Sequence, residues 1–210
     1  MRLTKKDLSY ALVTGCYTGL IAWLVTSWLH FQSLFGFSYA WLMLLLPLLW
    51  LAGVWLGYLL GHWLTFFNQF GKYAAIGFTN FAVDLGALNV LIFFTGVTGG
   101  RQFVWVRGTA AVLAVVHSFF WNRYWVFGER RDQSIGRQAV SFALAASIAA
   151  AVNIGIATGI VNYIRPLSGF TPERWDNVAA IIGSAVALAV NFVILRQKVF
   201  NRSNVPDALP

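Results

Sequence analysis

Along the chain, apolar residues gather into six long runs, at roughly 8–29, 40–62, 73–95, 103–122, 138–163 and 177–195. Short stretches rich in Gly, Pro, Asn and basic residues separate them. A helix needs about 20 residues to cross a hydrocarbon core, whereas a transmembrane strand needs about ten with apolar and polar positions alternating. Nothing here alternates. The pattern therefore predicts an all-α, polytopic membrane bundle of six transmembrane helices. The first run follows MRLTKKD and is too long for a cleaved signal core, and HFQSLFGFS after it has no small-x-small site. It reads as a retained signal anchor.

Composition agrees with this reading. The chain is 59% hydrophobic and only 10% charged, with 10 Trp among 210 residues and a mean hydropathy of +0.67. A soluble domain carries about 25% charged residues. Cys16 stands alone inside an apolar run, so no intramolecular disulfide forms.

Charge then sets the expected orientation, because Lys and Arg collect in cytoplasmic connections. A cytoplasmic N-terminus puts Arg2, Lys5, Lys6, Lys72, Arg123, Arg130, Arg131, Arg137, Arg196, Lys198 and Arg202 inside. Arg101, Arg107, Arg165 and Arg174 remain outside, so the count is eleven against four and both termini are expected in the cytoplasm. The net charge of +8 belongs mainly to that face, where anionic lipids attract it. The basic residues are scattered over helix ends and form no contiguous face, which argues against nucleic acid as a partner.

The last four runs contain a repeat. HSFFWNRYWVF at 117–127 aligns without a gap on VNFVILRQKVF at 190–200, matching Phe119 with Phe192, Arg123 with Arg196, Val126 with Val199 and Phe127 with Phe200. Extended backwards, residues 70–127 lie on 139–200, with a shift of 69 in the first run of each copy and 73 in the second. This sets Gly77 on Ala146, Asp84 on Asn153, Gly86 on Gly155, Ala110 on Gly183, Ala114 on Ala187 and Ser118 on Asn191. Positions 110, 114 and 118, like 183, 187 and 191, recur every four residues and make one small-residue stripe per helix. Such stripes let helices approach closely in lipid. Tyr73, Gly77, Asn80 and Asp84 make a comparable face on the third run. Both hairpins would start on the cytoplasmic side, so the expectation is a parallel internal repeat of two helical hairpins about an axis along the membrane normal. Residues 1–66 then form an N-terminal two-helix extension, 67–202 a four-helix domain and 203–210 a short tail.

FGKYAAIGFTNFAVDLGALNVLIF, followed by SFFWNRYWVF and later by NFVILRQKVF, resembles the GtrA-like family of small four-span membrane proteins. The resemblance covers about residues 67–202 and is most specific at the N-R-x-W-V-F end of the fourth run. It implies a role in moving polyprenyl-phosphate-linked sugars across the bacterial cytoplasmic membrane, with that lipid as ligand and a membrane glycosyltransferase as a further partner. It also implies that Asp84 matches the family's acidic residue in its first span, and that Asn122, Arg123, Trp125 and Phe127 match its aromatic-basic end. The second copy departs from the motif, with Leu195 where the first has Asn122 and Lys198 where it has Trp125.

The chemistry of such a lipid can be set against the residues. Its phosphate stays at the interface, its tail stays in lipid and its sugar must cross the core. Arg123 and Arg196 suit the phosphate, because a guanidinium stays charged and donates two parallel hydrogen bonds. Trp121, Tyr124 and Trp125 suit prenyl groups or a sugar face, although Arg and Trp at span ends are also what positive-inside anchoring and an aromatic belt produce. Asp84, roughly 18 Å along its helix from Lys72, is the acidic residue inside the six runs. At the bilayer centre it costs on the order of 3 kcal/mol, so it must face the interior or find a partner. Asn80 one turn away and His117 or Ser118 on the next run are the expected partners; in the second copy Asn153 stands at the position of Asp84 and Asn191 at that of Ser118.

No catalytic, metal or cofactor constellation emerges. GVTGGR at 96–101 lacks the Lys-Ser/Thr of a phosphate loop, and no HExxH or Cys/His cluster is present. Three functions fit. The first is a flippase or carrier for polyprenyl phosphate or its monosaccharide conjugate. The second is a non-transporting anchor for a glycosyltransferase that docks on GERRDQSIGR at 128–137. The third is a small proton-coupled exporter of cations, which paired cytoplasmic Args disfavour. Oligomerisation is left open.

Overall fold

A computed structural model describes residues 3–30, 38–128, 134–166 and 172–200. Among them there are six long helices and no strands. They are α1 (Lys5–Trp28), α2 (Leu42–Leu60), α3 (Phe67–Thr95), α4 (Gly100–Trp121), α5 (Ile135–Tyr163) and α6 (Pro172–Ile194). A short 3-10 turn, Tyr39–Trp41, leads into α2. All six spans are long and apolar enough to cross a membrane, so this is a multi-pass membrane protein. Arg2, Arg130, Arg131 and Arg202, four of the charges behind the expected orientation, lie outside the described residues, as do the side chain of Arg174 and the tail 203–210.

The helices begin and end for local reasons. Thr4 caps α1 by accepting from the Asp7 N–H, while the Asp7 carboxylate accepts from the Thr4 N–H, a reciprocal capping box. Gly96 ends α3 in the left-handed region at φ 67°, where a side chain would be strained. Ser134 caps α5. The ends of α4 and α6 are less common. Each passes into one π turn, Asn122–Val126 and Leu195–Val199, closed by the Phe127 N–H donating to Asn122 O at 2.9 Å and the Phe200 N–H donating to Leu195 O at 2.7 Å. Single π turns inside helices are often found at functional sites. The two turns start at positions that the shift of 73 equates.

By packing, the chain groups into residues 1–129 and 130–210. The first unit holds α1–α4. The N-terminal pair is not a loose appendage: α1 packs along α2, and both pack on α3. Glycines permit this. A Cβ at Gly15 would run into Pro47 Cα, and one at Gly57 would lie 2.8 Å from Phe67 O. The backbones therefore touch where Leu or Val would hold them apart. A polar knot joins the same three helices, with Trp50 Nε1 donating to Thr79 Oγ1 and Thr18 Oγ1 also meeting it, each at 3.0 Å. Completing the unit, α4 lies along α3, with Ala110 and Ala114 buried. Large side chains such as Leu44, Phe94 and Trp105 point outward, as expected where the surroundings are lipid.

The second unit is the α5–α6 hairpin. A Cβ at Gly183 on α6 would lie 2.7 Å from Asn153 O on α5, which makes Gly183 the closest-packed glycine of this pair.

Candidate functional site

At one end of the first unit, four elements converge on the carboxylate of Asp7, which is only 4% exposed. Lys72 Nζ at the start of α3 meets Oδ1 at 2.5 Å, and Trp125 Nε1 from the π turn donates to the same oxygen at 3.1 Å. Tyr58 OH from the end of α2 donates to Oδ2 at 2.9 Å, and Thr4 Oγ1 donates to it at 2.6 Å. Both carboxylate oxygens are thus filled by donors from the chain itself. Because a buried carboxylate stripped of such donors is costly, this cluster fixes the π turn against the three neighbouring helices. Tyr10 on α1 adds edge-to-face contacts with Trp121 at 5.4 Å and Trp125 at 5.9 Å.

Within this end lie three of the residues singled out from the sequence. Trp125 is buried, with its N–H directed to Asp7 rather than to lipid. Asn122, 1% exposed, donates through Nδ2 to Ser118 O at 2.8 Å and to Ser118 Oγ at 3.2 Å, while its Oδ1 is buried with no hydrogen-bond partner. Arg123, expected to hold a lipid phosphate at the cytoplasmic interface, is 3% exposed and has its guanidinium 5.8 Å from the Tyr124 ring centroid.

Asp84 is placed differently from expectation. Its partner is neither Asn80, His117 nor Ser118. Arg107 on α4 holds it with both terminal nitrogens, Nη1 to Oδ1 at 2.6 Å and Nη2 to Oδ2 at 2.8 Å. Arg107, which the charge asymmetry assigns to the outer connection, sits seven residues inside α4. The Asp84 side chain is 17% exposed and that of Arg107 46%. His117 instead turns toward α1, where its Nε2 is 2.7 Å from Tyr17 OH. Asn80 is half-buried, and its Oδ1 is enclosed without a partner.

The antiparallel register set by Asp84 and Arg107 carries Asn80, Gly77 and Tyr73 of α3 beside Ala110, Ala114 and Ser118 of α4. On this pairing the α3–α4 seam has small residues at Gly77, Ala110 and Ala114, polar ones at Asn80 and Ser118, and the Tyr73 ring near the Asp7 end. It runs from Asn122 and Ser118 at the Asp7 end to the Asp84–Arg107 pair.

In the second unit, Asn153 also reaches across its own hairpin, with Nδ2 donating to Ser184 Oγ at 3.4 Å. Arg196 lies half-buried on the π turn, and Asn191 is half-buried one turn before it. Most of the segment 128–137 expected to dock a partner, residues 129–133, lies outside the described residues.

Sequence reasoning missed Asp7, Tyr58, Lys72 and Arg107. The signals were present. Thr4-x-x-Asp7 is a capping-box spacing, Gly15/Gly19 and Gly53/Gly57 are four-residue glycine spacings on the first two runs, and Arg107 lies inside an apolar run rather than before it.

A family model described as GtrA/DPMS, transmembrane domain, matches residues 72–201, more than half of the chain. The chain belongs to the GtrA/DPMS transmembrane-domain family. No curated protein and no solved structure matches it. The GtrA/DPMS match begins at Lys72 and includes Trp125, so Asp7, which both of those residues contact, and Tyr58, which donates to Asp7, are supplied by the helices before it.

Proposed function

We propose that the chain is a translocase or carrier for polyprenyl phosphate, or for a monosaccharide linked to it, serving surface polysaccharide synthesis in the bacterial inner membrane with both termini in the cytoplasm. Family membership supports the lipid class. The observation that carries the translocation step is the polar seam between α3 and α4. A headgroup leaving water loses its hydrogen bonds, and groups spaced along a span replace them in turn while the prenyl tail stays in lipid. Asn122 and Asn80 each offer a buried carbonyl oxygen that nothing in the protein occupies, and the Asp84–Arg107 pair offers charge farther along. Fit of this kind supports a carrier without a catalytic step.

A second reading has its own support. The burial of Asn122, Arg123 and Trp125 in a tightly bonded end suits a static anchor that presents a glycosyltransferase to its lipid substrate. Purified protein in sealed vesicles separates the two. The translocase reading expects faster leaflet exchange of fluorescent polyprenyl phosphate or its sugar conjugate than in empty vesicles, with ordinary phospholipid unaffected. Equal rates with and without protein would favour the anchor.

A further inference from the structure

We infer that Arg107 is a phosphate-binding station in the half of the membrane away from the Asp7 end, and that Asp84 holds its place until an anionic headgroup arrives. This rests on the translocation reading and names the chemistry of one position along it. The ligand class is a phosphate monoester or diester carried on a prenyl chain.

Asp84 lies eleven residues before the end of α3 and Arg107 seven residues after the start of α4, so at about 1.5 Å per residue the pair is roughly 10–16 Å from the 96–99 connection. With α3 about 43 Å long against a hydrocarbon core of about 30 Å, the pair falls inside the core by roughly 4–10 Å. Arg123 lies sixteen residues farther along the same helix path, roughly 24 Å away along its axis.

Energetics argue that stability does not explain the pair. Replacing an ion pair in a low-dielectric setting by apolar residues is often neutral or stabilising, and the α3–α4 interface already has small buried residues in Ala110 and Ala114. Ionisable groups inside a span mark ligand or ion paths by default.

Asymmetry then says which partner meets the ligand. The Arg107 side chain is 46% exposed and that of Asp84 only 17%. The carboxylate is the protected half, and the guanidinium presents its outer side to whatever passes. A phosphate oxygen pair has the same two-pronged geometry as the Asp84 carboxylate, so it can replace Asp84 on Nη1 and Nη2 bond for bond. No covalent bond between heavy atoms changes. Arg107 keeps a counter-anion before and after exchange, and Asp84 takes up a proton from water as it is displaced, so neither a bare cation nor a bare carboxylate is left in the core.

The test compares Asp84→Asn with Asp84→Asn/Arg107→Gln in the full chain, because these differ only in Arg107 and neither strands a carboxylate. Affinities in detergent are measured for farnesyl phosphate, for farnesol and for inorganic phosphate. Asp84→Asn removes the competitor and should bind farnesyl phosphate several-fold more tightly than wild type. The double variant should bind it about tenfold or more weakly than Asp84→Asn. Farnesol should bind all three proteins alike, and inorganic phosphate should bind none well, which assigns the site to a lipid headgroup. Tight inorganic phosphate binding to Asp84→Asn would overturn the lipid assignment. Equal farnesyl phosphate affinity in the two variants, at matched thermal stability, would overturn the role of Arg107. A charge swap, Asp84→Arg/Arg107→Asp, adds a readout of a purely structural pair: restoration of both stability and wild-type affinity would reduce the pair to a helix clamp. Should wild type bind farnesyl phosphate through Arg107 yet fail to exchange it in vesicles, the translocation reading fails and the binding site stands.

Discussion

Asp7 shows how one residue can set the geometry of a distant motif. Its carboxylate gathers Lys72, Tyr58, Thr4 and Trp125 at 4% exposure, so its removal leaves Lys72 as an uncompensated buried cation. Asp7→Asn should lower stability by about 3 kcal/mol, and adding Lys72→Met should recover part of that loss because no charge is then stranded. Trp125→Phe keeps most of the ring packing and drops one hydrogen bond, so its cost should be about 1 kcal/mol. Thermal unfolding in detergent checks the order of the three. If Asp7→Asn were as stable as wild type, the cluster would not be holding the π turn.

Among the elements, the contacts that distinguish α1 and α2 from a loose extension are backbone contacts at glycine. Gly57→Leu forces a side chain into space held by Phe67 O and Gly71, and should destabilise by about 1–3 kcal/mol. Gly108 on α4 has nothing within 4 Å of an added Cβ, so Gly108→Ala should be neutral or stabilise by up to about 1 kcal/mol. Melting temperatures of the pair test whether packing, rather than glycine content, explains the difference. The helices themselves were legible as apolar runs because in lipid every backbone bond must close within the helix. Their partners were less so. That Asp84 takes Arg107 depends on the register of α3 against α4, which the periodicity of either helix alone does not state. The burial of Asp7 was hidden by its neighbours Lys5 and Lys6, which read as a solvated flank. The π turns were not legible, since an i to i−5 bond leaves the apolar spacing of a five-residue segment unchanged. The sequence alone sets Arg123 against a lipid phosphate and Trp125 against prenyl groups or a sugar face, and gives no sign that both side chains are buried.

For the whole molecule, the ends gathered at Asp7 put the start of α1, the end of α2, the start of α3 and the end of α4 on one side. A cysteine at Gly99, in a protein whose Cys16 is replaced by Ser, should label from the opposite side to one at Lys5; labelling from the same side would contradict an up-and-down arrangement. On the translocase reading, a lipid headgroup uses the α3–α4 seam to cross. Asn80 tests it with least disturbance, because its Oδ1 is enclosed and unpartnered, so Asn80→Leu removes a buried unsatisfied acceptor at similar volume. The measurement is leaflet exchange of a fluorescent polyprenyl-phosphate monosaccharide, whose hydroxyls can donate to that oxygen, in sealed vesicles, with wild type and Asn80→Leu inserted at equal density and their thermal stabilities compared. Wild type should exchange the lipid rapidly, and Asn80→Leu should lose about tenfold of that rate with a melting temperature unchanged or higher. Undiminished exchange by a stably folded Asn80→Leu would contradict it.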